Sequence, residues 1–171
     1  MPTNIEIKAR VIDRDELIAR AQELAGSQRL DIDQDDTFFR CDAGRLKLRT
    51  VGEGDGQLIF YQRPDAAGPR ASFYATTTTT DPDGLRLALA LAYGAVGRVR
   101  KHRILFIASR TRIHLDRVEG LGDFIELEVS LAEEDDIADA TKEAEQIMAA
   151  LGVLPDQLVP SAYVDLIAAR Q

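Results

Sequence analysis

The sequence predicts an α+β fold, an eight-stranded antiparallel β-barrel with flanking helices. Three observations carry this. Eight segments alternate polar and apolar residues with period two. Most are joined by short turns rich in Gly, Asp and Pro, as antiparallel neighbours require. No internal repeat, Pro/Ser-rich linker or compositional break divides the 171 residues, so a single domain over 1–171 is expected. Eight antiparallel strands can close on themselves, which removes the exposed edges of the sheet.

Residues 4–11 form the first strand, with Glu6, Lys8 and Arg10 on one side and Ile5, Ile7, Ala9 and Val11 on the other. Asp13, with Glu16 three residues on, reads as a capping box; Leu17, Ala21 and Leu24 make a helical stripe that Gly26 ends. Strand patterns follow at about 29–40, 44–51, 57–64 and 69–79, separated by Asp42-Ala43-Gly44, a Gly52–Gly56 hairpin tip and the Pro64–Pro69 segment. The Thr76–Thr80 run is low in complexity, but Thr favours strands, so it reads as a strand end. Asp81-Pro82 opens a second helix with Leu85, Leu89 and Ala92 on one face and Gly94 as its stop. Strands return at about 98–108, 110–118 and 123–131. A third helix spans 134–151; Ile137, Ala144, Ile147, Met148 and Leu151 share a side, and the acidic run Glu133 to Asp136 suits its positive N-terminus. Residues 161–170 read as a short final helix.

Composition excludes several classes. With 45% hydrophobic and 29% charged residues the chain is an ordinary globular mix, not a disordered one. Its net charge of −8 argues against a duplex nucleic-acid binder that works by overall positive charge. One cysteine, Cys41, allows neither an intrachain disulfide nor a cysteine metal site. The longest uncharged apolar run, Leu87 to Gly97, is about half of the roughly 20 residues a membrane helix needs. With no secretory signal in view, no membrane partner and a cytoplasmic location are expected by default.

The strand faces are unusual in where they carry charge. Arg45, Lys47 and Arg49 share a face; so do Arg70, Ser72 and Tyr74; Arg63 goes with Tyr61, and Lys101 with Arg103. Arg112, His114 and Asp116 share another, and Glu126 and Glu128 lie on one face with Phe124. The ordinary reading of such alternation is a core on one side and water on the other. If instead these faces line one barrel, the interior holds ten cations (Lys8, Arg10, Arg45, Lys47, Arg49, Arg63, Arg70, Lys101, Arg103 and Arg112) and four carboxylates (Glu6, Asp116, Glu126 and Glu128). That lining carries +6 and leaves −14 elsewhere. It calls for water and a polyanion, and Arg and Lys together suit phosphate. The four carboxylates either hold a hard divalent cation, Mg²⁺ or Mn²⁺, through oxygen, or serve as salt-bridged or solvent-facing groups.

Several motifs, in order, resemble the CYTH superfamily of triphosphate tunnel metalloenzymes. Asn4-Ile-Glu-Ile-Lys8 resembles its ExExK signature, with Asn4 where the first Glu is usual. Gln34-Asp-Asp-Thr-Phe-Phe39, Arg45-Leu-Lys-Leu-Arg49, Arg63 before Pro64, and Lys101-His-Arg103 resemble later strands. His114-Leu-Asp116 and Gly120-Leu-Gly-Asp-Phe-Ile-Glu126-Leu-Glu128 resemble the metal-side signature, and Ser161-Ala-Tyr163 with Leu166 the tail. The resemblance implies a tunnel open at both ends, with Lys8, Lys47, Arg49, Arg63, Lys101 and Arg103 on the phosphates and Glu6, Asp116, Glu126 and Glu128 on metal. Arg10, Arg45, Arg70 and Arg112 join the phosphate set by alternation alone. The catalytic set is then Glu6, Lys8, Arg49, Asp116, Glu126 and Glu128. Within the family the start and the Gly-Leu-Gly-Asp-Phe stretch are most similar to class IV adenylyl cyclases, which implies ATP as substrate and a homodimer. Thiamine and inorganic triphosphatases share the scaffold, and Asn4 leaves open a non-catalytic binder of triphosphate or polyphosphate.

Other residues have plainer readings. His114 falls on the charged face, where it either touches phosphate or a metal water or has a structural role. His102 has the opposite parity and reads as exterior. Phe38, Phe39, Tyr61, Phe73 and Tyr74 can stack on a base but read first as core. The Gly52–Gly56 loop lacks the Lys-Ser/Thr continuation of a P-loop.

Overall fold

The computed structural model describes residues 3–26 and 28–171; Met1 and Pro2, part of the polar N-terminus, lie outside them. The strands are β1 (Thr3–Arg10), β2 (Leu30–Phe39), β3 (Arg45–Val51), β4 (Gly56–Gln62), β5 (Arg70–Thr79), β6 (Ala95–Ala108), β7 (Thr111–Val118) and β8 (Gly122–Leu131). They form one closed barrel in the order β1-β5-β4-β3-β2-β6-β7-β8, and every pairing is antiparallel. Four helices flank it: α1 (Arg14–Ala25), α2 (Pro82–Tyr93), α3 (Ile137–Ala150) and α4 (Tyr163–Ala168). The N-caps expected from sequence are made, but the Glu16 side chain turns to Arg20 rather than back to Asp13, so the expected capping box is only half formed. Asp13 accepts from the Glu16 amide and Asp81 from the Gly84 amide, and Gly26 closes α1 at φ 58°, a left-handed conformation that glycine adopts at little cost.

The main apolar core lies outside the barrel. Ile5 and Ile7 of β1, Ile104 and Phe106 of β6, Ile113 and Leu115 of β7, and Ile125 and Leu127 of β8 point outward. They pack on Leu17 and Ala21 of α1 and on Ala140 and Ala144 of α3. Because the alternate residues of these strands must then point inward, covering the outer face with helices frees the lumen for charge.

A second cluster closes around one end. Phe38, Val99, Val118 and Phe124 pack there against Tyr163 and Val164 of α4. Gly97 makes this seat possible, since a Cβ at that position would collide with the Val164 side chain. It also marks a departure from the sequence reading. β6 begins at Ala95 rather than near 98, because β2 recruits the Gly-rich stretch, pairing Phe39 with Ala95 and Phe38 with Gly97 across a bulge. α2 is packed more lightly than its pattern suggests. Leu85 and Leu89 are half-buried, but Ala92, Leu87 and Leu91 are exposed, and Arg86 Nε ties the helix to Thr37 Oγ1 at 3.2 Å. No helix among the described residues is long and apolar enough to cross a membrane.

Candidate functional site

The barrel lumen holds a cavity of about 340 Å³. Among the described residues, seven cations (Lys8, Lys47, Arg49, Arg63, Lys101, Arg103 and Arg112) and four carboxylates (Glu6, Asp36, Glu126 and Glu128) line it, with Asn4, Gln34, Tyr61, Tyr74, His114 and Tyr163. The period-two pleat delivers them from all eight strands, and α4 adds Tyr163.

Each lining cation already has a carboxylate. Asp36, 2% exposed, accepts from Lys47 Nζ at 2.9 Å and from Arg49 Nε and Nη2 at 2.8 Å each. Arg63 Nη1 donates to Glu6 Oε2 at 3.0 Å. Glu126 faces Lys8 Nζ at 3.2 Å and accepts from Arg103 Nη2 at 2.7 Å; Arg112 Nη2 lies 3.1 Å from Glu128. Asp116, 1% exposed, accepts two 2.7 Å bonds from Arg103, lies 3.1 Å from Lys101 Nζ, and takes the Tyr163 hydroxyl at 3.1 Å. The Tyr163 ring covers this end of the lumen, 3.9 Å from Lys8 Nζ and 4.9 Å from Lys101 Nζ.

The electrostatics follow from burial set against these pairs. Burial pushes the Asp36 carboxyl up, but Lys47 and Arg49 outweigh it and hold the group well below the usual range. Burial likewise raises Asp116, and Arg103 and Lys101 reverse it. Burial, then the facing Glu128, raises Glu6 in spite of Arg63. Burial, then Arg103, pushes the His114 imidazole down to about 4, so it is neutral at pH 7.

Lys8 and Lys47 are pushed down to about 8 by burial, against the opposing pull of Glu126 on Lys8 and of Asp36 on Lys47. The unfolded chain holds these protons up to a pKa of about 10.4, so the folded protein gains stability as pH rises from about 8 through that window. A bound polyanion favours the charged amines. Binding of a test polyanion such as tripolyphosphate, without metal near pH 9, is therefore expected to take up protons, and its affinity to fall as pH rises further. Calorimetry in buffers of different ionisation enthalpy reads this directly; zero uptake counts against either lysine meeting the phosphates.

Four residues named from sequence fall elsewhere. Arg10 is exposed at the rim, its guanidinium 5.0 Å above the Phe124 ring. Arg45 turns to Asp65 and Asp165, at 2.9 and 2.7 Å, and ties the loop after β4 to α4. Arg70 is buried under that loop and donates to the Ala66 carbonyl. Asp116 lies behind Arg103, both its oxygens engaged, rather than on the lumen wall. Alternation gives the side of a strand but not its depth, so residues at strand ends leave the lumen. Asp36 enters in their place, and the lining carries +3 rather than +6.

Asp36 was legible in principle. Ile32, Gln34, Asp36 and Phe38 share one parity on β2, and Asp31, Asp33 and Asp35 the other. Acids on both faces hid which one turned inward. On the outer face Asp35 pairs with Arg98 and Arg100, and His102 lies between Asp31 and Asp33, an exterior position as its parity implies. His114 is in the lumen wall, 4% exposed. Phe38, Tyr61 and Tyr74 line the cavity, Phe39 is buried, and Phe73 is 42% exposed.

The acidic side of the lumen fits a divalent cation. His114, Glu126 and Glu128 each present a ligand atom within 4.8 Å of the others, and Asn4 Oδ1 and His114 Nδ1 are buried without a hydrogen-bond partner. Glu6 faces Glu128 directly across the β1–β8 ladder, a like-charge juxtaposition that a cation relieves.

Comparison with known proteins agrees with this architecture. A family description, CYTH domain, matches residues 2–163. Adenylate cyclase CyaB of Aeromonas hydrophila is 25% identical over 93% of this chain and 85% of its own. Among solved structures, the PH1012 protein of Pyrococcus horikoshii superposes with a TM-score of 0.83 at 22% identity, over 95% of this chain and 98% of that one. HpAC1 of Hippeastrum, described as a candidate adenylyl cyclase with a dominant triphosphatase activity, does so at 0.64 and 17% identity, over 98% and 95%.

Proposed function

The chain belongs to the CYTH domain family, and from that premise we propose that it is a divalent-metal-dependent enzyme that holds a triphosphate in the barrel lumen and converts ATP to cyclic AMP and pyrophosphate. One observation carries the reading: buried and half-buried cations and carboxylates share one compact cavity and pair with each other, leaving an excess of positive charge. A metal–triphosphate complex brings both missing partners at once. Lys8, Lys47, Arg49, Arg63, Lys101, Arg103 and Arg112 would then turn to the phosphates, and Glu6, Glu126 and Glu128, released from their guanidinium and ammonium partners, would hold the cation. Bound Mg²⁺ or Mn²⁺ supplies Lewis-acid stabilisation of charge on the phosphoryl oxygens.

The chain's own groups do the rest. In cyclisation the oxygen of the ribose 3′-hydroxyl bonds to the α-phosphorus, the bond from that phosphorus to the β-phosphate oxygen breaks, and pyrophosphate leaves with the hydroxyl's proton taken up overall. Lys47, Arg49 and Arg103, gathered on the lumen wall by Asp36 and Asp116 before the ligand arrives, supply positive charge where it gathers on that leaving group. In this reading Asp116 positions Arg103 and Lys101 instead of holding metal. The 25% identical relative that bears the name adenylate cyclase supports this choice of reaction.

A second reading, hydrolysis at the γ-phosphorus, is favoured by the cavity itself. At about 340 Å³ it is at the small end of the roughly 300–1,000 Å³ range of ligand pockets, and its lining is ionic, which suits the triphosphate more than a base. Purified protein with Mn²⁺ or Mg²⁺ and ATP, with its products resolved, decides between them. Cyclic AMP with pyrophosphate supports cyclisation. ADP, or free phosphate from tripolyphosphate or thiamine triphosphate, supports hydrolysis. Tight binding without turnover makes the protein a triphosphate binder.

A further inference from the structure

His114 has no role in the chemistry above, yet its environment is that of a ligand. It lies on β7 directly opposite Glu126 on β8, with Arg112 opposite Glu128 one step along the same face. The ring is 4% exposed and faces the lumen. Its Nδ1 has no hydrogen-bond partner and stands 3.7 Å from Glu128 Oε1, beyond hydrogen-bond reach. A buried polar nitrogen left unpaired is costly, so a partner for it is expected.

What would satisfy it follows from its neighbours. Glu126 and Glu128 each bring an oxygen within 4.8 Å of the imidazole and of each other, so the partner is shared with two carboxylates and is a cation. Two carboxylates alone suit Mg²⁺, which is held through oxygen and keeps several waters. An imidazole nitrogen in the set raises affinity for first-row transition ions, which bind nitrogen more strongly. Asn4 acts in the same direction, because it offers the lumen a neutral amide oxygen in place of a hard anionic one.

We propose that His114 ligates the lumen cation through Nδ1 and, with Glu126 and Glu128, gives the site a preference for a first-row transition ion over Mg²⁺. The inference rests on the reading that the lumen holds a divalent cation, and the experiment separates the two. The probe is Mn²⁺ bound to untagged protein, with and without tripolyphosphate, followed by electron paramagnetic resonance. The chain has two histidines, and His102 is held outside the barrel by Asp31 and Asp33, so an imidazole signal is assignable.

Bound Mn²⁺ is expected to show ¹⁴N coupling of a directly ligated imidazole, kept in His102→Ala and lost in His114→Ala. Mn²⁺ affinity is expected to fall about tenfold or more in His114→Ala, and the Mg²⁺ needed to displace Mn²⁺ to fall by a similar factor. His114→Gln, which keeps the bulk of the side chain, gives the same readout if the alanine variant does not fold. Mn²⁺ that binds, is lost in Glu126→Gln and shows no nitrogen coupling overturns the inference and leaves the lumen-metal reading standing. No Mn²⁺ binding, even with tripolyphosphate, overturns both.

Discussion

Asp36→Asn is expected to destabilise the ligand-free protein and at the same time to make it more responsive to tripolyphosphate. The carboxylate is 2% exposed and is the hydrogen-bond partner of both Lys47 and Arg49. Removing its charge strands two half-buried cations, and breaking a buried pair from one side costs up to about 3–5 kcal/mol. For a chain of this size that is on the order of 10 °C in melting temperature. Tripolyphosphate then meets two cations with no internal competitor. The thermal shift it produces should exceed that of the parent, and saturating ligand should recover much of the loss. Melting curves with and without tripolyphosphate check both parts. An equal loss with no larger ligand shift would make Asp36 a purely structural partner and remove Lys47 and Arg49 from the phosphate site.

Glu126→Gln is expected to lower kcat by about 10²–10³-fold while leaving KM for the triphosphate unchanged or lower. The split follows from its contacts. Glu126 shares the candidate metal position with His114 and Glu128, so on the proposed function its charge would matter most to a bound cation and to the transition state. It also occupies Lys8 at 3.2 Å and Arg103 at 2.7 Å, and its neutralisation frees both for phosphate. Arg49→Ala should do the reverse and raise KM. Steady-state kinetics on whichever product the enzyme forms distinguishes the two. Turnover untouched by Glu126→Gln would move the reaction out of the lumen.

Much of the architecture was legible because it is written locally. Strand alternation depends on the pleat, helix starts on caps such as Asp13 and Asp81, and stops on Gly26 and Gly94; none of these needs a distant partner. Where distant partners mattered, the reading stopped short. β6 starts at Ala95 because β2 pairs with it, against a Gly-rich stretch that locally reads as a turn. The ordered motifs located the lumen strands, but strand alternation added Arg10, Arg45 and Arg70, and the motifs added Asp116, alongside residues that do line the cavity.

The sequence by itself determined that the chain carries alternating strands with charge regularly on one face, and from that an antiparallel sheet able to close around an ionic interior. Only the tertiary structure decided the depth of each charge and its partner. Asp36 and Asp35 are adjacent in the chain, yet one anchors Lys47 and Arg49 inside the barrel and the other Arg98 and Arg100 outside it. His114 and His102 divide in the same way, one left unpaired in the lumen and the other held between two exterior aspartates. Parity along a strand is a local property. Which parity faces inward, and which opposite charge waits there, is set by barrel closure and by the helices that cover the other face.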